Sequence, residues 1–411
     1  MNADVQIRSM PYPYKAMLAI CSDLDETPNR HTYLGIMRFL NTMQDTSMGP
    51  GVGLEVGNSI YFDMPQEQFA YWNTDEAGRE IVRTLIKSGH IDCLHSYGDL
   101  AVKRKHAARA LDELDRYGCK LQVWVDHGVA PTNFGSDIMC GHGDEIGHPA
   151  YHADLTTGFG IQYVWRGRVT SITGQNVPDS LGGLFKISHP AASGLTILKE
   201  AAKIMMARIG NKKYALHSIN ELMRPVVLRD NNKVYEFIRS NPHWGGVSSC
   251  DGGRYIGETL TKDMLNRLIK RGGLCILYTH LGKIDNLDVP FNQMAVEAFR
   301  YLAKLFQKGD ILVTTTKRLL DYQRAIRKII YKCTQDEKKL QIRIDTLSRK
   351  NTIRKLPITD LNGLTFYVPE QKVISLTIDG SEVKDLQYNM PDHLGRPSVS
   401  LKWQKLEFPQ I

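Results

Sequence analysis

The sequence has few cysteines and no pattern that would use them together. Its 411 residues include seven cysteines, and none of them forms a CxxC pair. Several lie inside apolar, strand-like runs, which is typical of small buried side chains in a reducing compartment. The spacing therefore indicates neither a disulfide framework nor a zinc site built from thiolates.

Long apolar runs are also missing. The polar start of the chain leads into one short apolar run that ends in acidic residues. This pattern predicts neither a signal peptide nor a membrane-spanning segment, so we expect a cytoplasmic protein.

Most of the chain has no excess of charge of either sign. The net charge is +8, and the stretch from Arg324 to Lys355 carries eleven Lys/Arg against three Asp/Glu, which equals the whole excess. The near-neutral remainder argues against a surface that follows nucleic acid, so no nucleic-acid partner is expected. The basic stretch is either a solvated helix end and linker or a peripheral contact for anionic lipid headgroups or a phosphate-bearing substrate.

Helical and strand-like segments alternate along most of the chain. Helical spacing at 75–88 and 103–117 ends at a glycine and is followed by a strand-like run, and this rhythm returns after residue 260. It predicts parallel βαβ units, about seven or eight of them, which is enough to close a barrel. Residues 183–187 are predicted to form a strand within a less regular middle region. We predict an α/β barrel over residues 1–333 and a β-rich domain over 334–411.

Two carboxylates follow the first buried strand. An apolar run ends at Cys21 and is followed by Asp23 and Asp25. Residues two apart on a strand point to the same side, and the carboxyl ends of parallel strands carry the chemistry of α/β proteins. The alternative is a pair of turn carboxylates that cap the next helix.

Two later strands end in groups that would complement this pair. His95 and Asp99 follow one strand at a spacing of four, so a helical turn would direct both side chains to one metal ion. His280 ends a second apolar strand far along the chain. A barrel would bring all three strand ends together, which favours a site over three separate structural roles.

At this point the chain resembles the polysaccharide deacetylases, the NodB-like carbohydrate esterases with a distorted (β/α)7 barrel. Three features carry the resemblance, in the family's order: the pair Asp23 and Asp25, the motif from His95 to Asp99, and the strand ending at His280. They span roughly residues 15 to 320. The resemblance therefore implies a distorted (β/α)7-type barrel with a small C-terminal all-β appendage.

The resemblance also implies roles for these residues. Asp23 would be the general base, His280 the general acid, and Asp25, His95 and Asp99 the ligands of a divalent metal ion. Asp99 stands where the family has a second metal-binding histidine. Zn²⁺ is the leading expectation, and the harder oxygen ligand makes Mn²⁺ or Fe²⁺ credible alternatives.

Other candidate groups lie outside these motifs. The family's Arg-x-Pro-Tyr/Phe-Gly motif is matched at residues 129–135 without its arginine, so His127 is expected to stand in as an orienting, metal-adjacent or substrate-binding group. Trp244, between turn-forming residues, could bind the apolar face of a sugar or pack its own loop. Three loop histidines could add ligands or simply belong to a polar loop: His142, His148 and His152.

Together these features predict a metal-dependent deacetylase that acts on an N-acetylated sugar. Without a secretion signal, the expected substrate is a nucleotide- or lipid-linked intermediate of surface polysaccharide biosynthesis. Two rivals remain at this stage. A metal-independent glycoside hydrolase would need two carboxyl groups flanking a bond, and an inactive sugar-binding barrel would bind no metal.

Overall fold

The apolar run near the N-terminus forms a central strand of a large sheet. In this computed structural model, which describes residues 5–128, 130–335, 338–346, 357–369 and 373–411, strand β1 (Ala16–Ser22) is buried at every position. It pairs in parallel with two other strands of the larger of two compact units. That unit consists of Ala16–Lys308, Val313–Lys317 and Leu406–Ile411.

Ten strands follow one another across this sheet among the described residues. Their order is β7 (Met223–Val227), β8 (Lys233–Phe237), β5 (Tyr163–Trp165), β4 (Val123–Val125), β3 (Ile91–His95), β2 (Gly57–Ile60), β1, β10 (Leu274–Thr279), β9 (Arg239–Ser240) and β6 (Val169–Thr170). Every neighbouring pair is parallel except β7 with β8. The sheet curls into a half-barrel, which agrees with the predicted α/β class and fits the predicted distorted barrel loosely.

Helices lie between most of the successive strands, and local capping explains where two of them begin or end. The helices of the larger unit are α1 (Arg30–Asn41), α2 (Glu76–Lys87), α3 (Arg104–Arg116), α4 (Ala153–Phe159), α5 (Pro190–Arg208), α6 (Ile256–Thr259), α7 (Lys262–Arg271) and α8 (Gln293–Gln307). The side chain of Asp75 accepts from the Gly78 N–H at the start of α2. Gly272, at φ +65°, ends α7 in the left-handed region that glycine adopts readily. Among the helices of the described residues, none combines the length and the apolar character needed to cross a membrane.

The predicted strand at 183–187 does not form. A single 3₁₀ turn, Gly182–Leu184, occupies its first half. Phe185 and Ile187 are exposed, so this apolar run has no sheet to cover it. Apolar composition alone therefore did not distinguish a strand from an exposed segment.

The smaller unit contains the predicted all-β appendage. Its described residues lie within Met1–Lys15, Gly309–Leu312 and Arg318–Lys405, so the division of the chain differs from the predicted boundary at residue 333. Leu340, Phe366 and Leu376 are fully buried between two four-stranded sheets, together with Ala325 from a helix. The sheets are Gln6–Ile7, Thr365–Tyr367, Ser398–Leu401 and Leu386–Asn389 in one, and Ile330–Gln335, Lys339–Asp345, Val373–Ile378 and Ser381–Glu382 in the other.

The basic stretch from Arg324 to Lys355 runs through this smaller unit. Its first part belongs to helix Thr316–Lys328 and to strands Ile330–Gln335 and Lys339–Asp345. Residues 336–337 and 347–355 of the stretch lie outside the described residues. A lipid or phosphate contact there stays a prediction.

Candidate active site

Four strand ends meet at one edge of the large sheet. Asp23 and Asp25 follow β1, His95 is the last residue of β3, His127 follows β4, and His280 follows β10. Parallel strands place their carboxyl ends at the same edge, which is why residues distant in sequence converge here. The convergence of Asp23, Asp25, His95 and His280 agrees with the sequence prediction.

Asp25 lies at the centre of this group. Its Oδ2 is 3.4 Å from Nε2 of His127 and 3.4 Å from Nε2 of His280. Its Oδ1 is 4.0 Å from Nδ1 of His95 and accepts a hydrogen bond from the Tyr61 hydroxyl. One carboxylate thus faces three imidazoles, and its side chain keeps 19% of its surface exposed.

The electrostatics of Asp25 and its neighbours follow from this arrangement. Burial by itself raises the pKa of Asp25, but the contact with His127 and the charges of His280 and His95 outweigh it and hold the pKa well below its usual range. Burial favours neutral His127, yet its bonds to Asp25 and Asp99 raise its pKa to about 10. Burial lowers the pKa of His95 to about 4, so this imidazole is neutral at neutral pH.

Asp99 does not join Asp25 and His95 at one point as we had expected. Its Oδ1 lies 2.8 Å from Nδ1 of His127, on the far side of that ring from Asp25, and its side chain is 42% exposed. The predicted helical turn is absent because Ser96 (φ +43°) and Gly98 (φ +98°) both adopt left-handed backbone conformations. Asp99 therefore orients His127 and fixes which ring nitrogen faces Asp25.

The carboxylate of Asp23 is held by an arginine that was not among the predicted site residues. Nη1 of Arg239, in β9, donates to both oxygens of Asp23 at 2.9 and 2.8 Å, and both side chains are buried. The guanidinium also lies 3.5 Å from the ring centre of Trp165 and 4.5 Å from that of Tyr278. Asp23 therefore has a buried cationic partner that lies outside the segment 129–135. A charged residue directly after an apolar run was the signal that could have revealed it.

His280 is oriented by a second carboxylate. Its Nδ1 is 3.2 Å from Oδ2 of Asp251, and its backbone N–H donates to the Asp251 carbonyl at 2.7 Å. Its Nε2 faces Asp25 at 3.4 Å and Asp23 at 3.8 Å. The chain of Asp251, His280 and the aspartate pair is an arrangement that can move a proton.

The carboxylate of Asp126 stabilises the turn that contains Pro131, Phe134 and Gly135. Its carboxylate accepts from the Phe134 and Gly135 N–H groups at 2.8 Å each and from the Trp124 indole at 2.7 Å. Burial raises the pKa of Asp126 to about 7. These bonds fix the segment that follows β4 and His127.

The three loop histidines lie apart from Asp25. His142 and His148 stack with ring centres 4.1 Å apart, and Nδ1 of His142 contacts Glu145 at 2.8 Å. His152 is fully buried, with Nε2 bonded to the Thr132 carbonyl and Nδ1 to the Thr156 hydroxyl, each at 2.8 Å. These contacts indicate structural roles.

Buried His152 makes stability sensitive to acid. Burial lowers its pKa from 6.5 to about 4, so between these values the unfolded chain binds more protons than the native state, and stability falls as the pH falls. His152 should contribute about 3 kcal/mol to this loss. We expect His152→Gln to flatten the pH dependence of urea-unfolding free energies across this window. The exposed control His31→Gln should not, and equal slopes for both variants would contradict the assignment.

Trp244 lies in the loop that carries Asp251. One face of its indole is stacked on His189, with ring centres 3.7 Å apart, and its carbonyl accepts from the Thr196 hydroxyl at 2.8 Å. These contacts favour a loop-packing role for that face. Sugar binding by Trp244 stays a prediction.

A group of three possible metal ligands lies in and just after the same loop. The ligand atoms of His243, Cys250 and Glu258 are all within 4.8 Å of one another and could hold a metal ion. However, Nδ1 of His243 accepts from the Gly245 N–H at 3.0 Å, so its Nε2 carries the proton. Coordination through Nε2 would require this hydrogen bond to be given up.

No family model, curated protein or solved structure matches this chain. The resemblance to polysaccharide deacetylases therefore stays a prediction. A functional proposal for this chain depends on the arrangement of its side chains.

Proposed function

We propose that the protein is a metal-dependent hydrolase that removes an acetyl group from an N-acetylated sugar. The observation that carries the proposal is the position of Asp25, which faces His95, His127 and His280 beside Asp23 at one edge of the sheet. The finer fold assignment, a distorted (β/α)7 barrel, belongs to the same proposal.

Asp25, His95 and His127 offer the donor atoms of a divalent metal site. Two ligands about 2.1 Å from a tetrahedral ion are about 3.4 Å apart, and Nε2 of His127 lies 3.4 Å from Asp25 Oδ2. His95, at 4.0 Å from Oδ1, would have to move inward on binding. A carboxylate with imidazoles is a common donor set for Zn²⁺ and also suits Fe²⁺ and Mn²⁺.

We assign the metal ligands as Asp25, His95 and His127, with Asp99 as the group that orients His127. This differs from the sequence expectation, in which Asp99 was itself a ligand. Imidazole ligands usually donate their second N–H to a carboxylate, and His127 has that partner in Asp99. An ion bound here would polarise the acyl carbonyl and acidify a water molecule.

The remaining residues provide the proton transfers. Asp23, held through both oxygens by Arg239, would accept the proton of the attacking water as general base. His280, oriented by Asp251, would protonate the leaving amine, since an amide anion is a very poor leaving group. Hydroxyl and N–H groups around the site would bind the developing oxyanion.

The carboxyl groups argue against a glycoside hydrolase. That chemistry needs one carboxylic acid that stays protonated near neutral pH. Asp25 has a strongly lowered pKa, and Asp23 is paired with a buried guanidinium. Asp126, which precedes His127, has a raised pKa, but both of its oxygens are occupied by the protein.

Acetate release tests the proposal. We expect the Zn²⁺-loaded protein to release acetate from an N-acetylated amino sugar in free, nucleotide-linked or lipid-linked form. Asp23→Asn or His280→Ala should each lower kcat by a factor of about 10² to 10⁴, because each removes a proton-transfer group.

The controls separate chemistry from folding. His31→Gln, which changes an exposed histidine outside the site, should keep full activity, and circular dichroism should show native folding in all variants. Acetate release that survives Asp23→Asn and His280→Ala would refute the assigned roles. A metal-loaded protein that releases no acetate from any of the three substrate forms would refute the proposed function.

A further inference from the structure

Helix α5 (Pro190–Arg208) has apolar residues on two opposite faces. Its inner face is buried and includes Thr196, Ile204 and Ala207. Its outer face is also apolar, although no described residue covers it: Leu195, Leu198, Met205 and Ile209 are between 53% and 71% exposed. A helix with apolar residues on two opposite faces normally has a partner on both sides.

The outer residues form one continuous stripe. Their spacing of three, then seven, then four places them within a narrow arc of the helix surface, opposite the buried residues. Phe185 and Ile187, just before the helix in the chain, are also 49% and 88% exposed. Contiguous exposed apolar surface of this kind indicates a binding surface.

The charges around the stripe are almost all positive. Residues 185–213 contain six Lys/Arg and one acidic residue. That residue, Glu200, is buried and bonded to Thr170, Ser171 and Lys203. At about 100° per residue, Lys199 flanks the stripe on one side and Arg208 on the other.

Two of the cations have acidic neighbours from other segments. Lys186 bonds to Asp263 at 2.8 Å, and Arg208 approaches Asp179 at 3.8 Å. Lys199 and Lys212 are exposed to solvent. The surface of the segment therefore combines large apolar side chains with a cationic border.

We propose that this face of α5 docks on an anionic lipid bilayer. An apolar stripe bordered by Lys and Arg is the pattern of helices that lie in the membrane interface, where the apolar side chains enter the headgroup region and the cations meet anionic lipids. A second copy of the chain fits less well, because its own stripe would bring the same positive border and no exposed carboxylate from residues 185–213.

Vesicle binding by the full-length chain tests this proposal without any substrate. We expect the wild type to cosediment with vesicles of phosphatidylcholine and phosphatidylglycerol in equal parts, and to bind phosphatidylcholine vesicles at least about tenfold more weakly. Leu198→Glu should weaken vesicle binding about tenfold or more, because it removes an apolar side chain from the stripe. Lys199→Glu should weaken it by about tenfold, because it removes a cation from the border.

Matched controls place the same changes elsewhere on the larger unit. Leu287→Glu alters a leucine that is 57% exposed, and Lys105→Glu reverses an exposed charge on α3; both should bind like the wild type. No binding by the wild type, or equal loss in test and control variants, would overturn the proposal. A wild-type dimer that Leu198→Glu converts to a monomer, without vesicle binding, would assign the surface to a second copy instead and also overturn it.

Discussion

Replacing Asp25 by alanine is expected to abolish metal binding. Its carboxylate is the group that faces His95, His127 and His280 together, so without it the remaining imidazoles have no common anionic ligand. After equilibration with Zn²⁺ and desalting, elemental analysis should find about one metal ion per wild-type chain and none in Asp25→Ala. A wild type without stoichiometric metal, even after supplementation with Zn²⁺, Mn²⁺ and Fe²⁺, would refute the proposed site.

Asp99→Ala distinguishes a ligand from a supporting residue. Because Asp99 contacts His127 and not the centre of the group, we expect this variant to retain metal with an affinity about 10 to 100 times lower. Complete loss, as in Asp25→Ala, would instead support Asp99 as a direct ligand.

Glu258→Ala is the matched control for the second possible metal site. It removes the carboxylate of the group formed with His243 and Cys250, and we expect it to keep the wild-type metal content. If Glu258→Ala loses the ion while Asp25→Ala keeps it, the metal binds in the loop and not at the strand ends.

Replacing Arg239 by methionine is expected to cost about 3 to 5 kcal/mol of unfolding free energy. The substitution leaves the Asp23 carboxylate buried without its guanidinium partner, and the cost of an unpaired buried charge exceeds the value of the pair itself. It also removes the cation that lies on Trp165 and Tyr278. Urea unfolding monitored by circular dichroism measures the effect.

Two further variants test whether this loss of stability comes from the unpaired Asp23 carboxylate. The double variant Asp23→Asn, Arg239→Met removes both charges and should recover most of the stability, which a double-mutant cycle would quantify. Arg254→Met breaks a partly exposed pair with Asp285 and should cost less than about 1 kcal/mol. A loss in Arg239→Met no larger than in Arg254→Met would contradict the assigned role of the Asp23 pair.

The regular elements of the fold were predictable because their signals are local. The helix predicted at 75–88 forms as Glu76–Lys87, between Asp75 as the N-terminal cap and a left-handed Gly89. The short strands β6 and β9 were not predicted, because two residues are too few to show a period. The strand predicted at 183–187 does not form for a related reason. Local composition does not reveal whether a partner covers an apolar run.

The site was predictable only in part. The strand-end rule brought Asp23, Asp25, His95 and His280 together from widely separated positions, and the structure agrees. The rule failed at Asp99, where the spacing of four assumed a helical turn that the left-handed Ser96 and Gly98 do not make.

The sequence by itself determined which strands end in carboxylates and imidazoles. The signals for these strands, namely alternation, apolar runs and helix-ending glycines, are patterns of residues that are close together in the chain. Only the tertiary structure decided which of these groups meet. Arg239 reaches Asp23 across 216 positions of the chain, and Asp99 bonds to His127 instead of Asp25 because of two backbone angles. Pairings of this kind depend on the curl of the sheet and the path of its loops, which no local pattern of residues specifies.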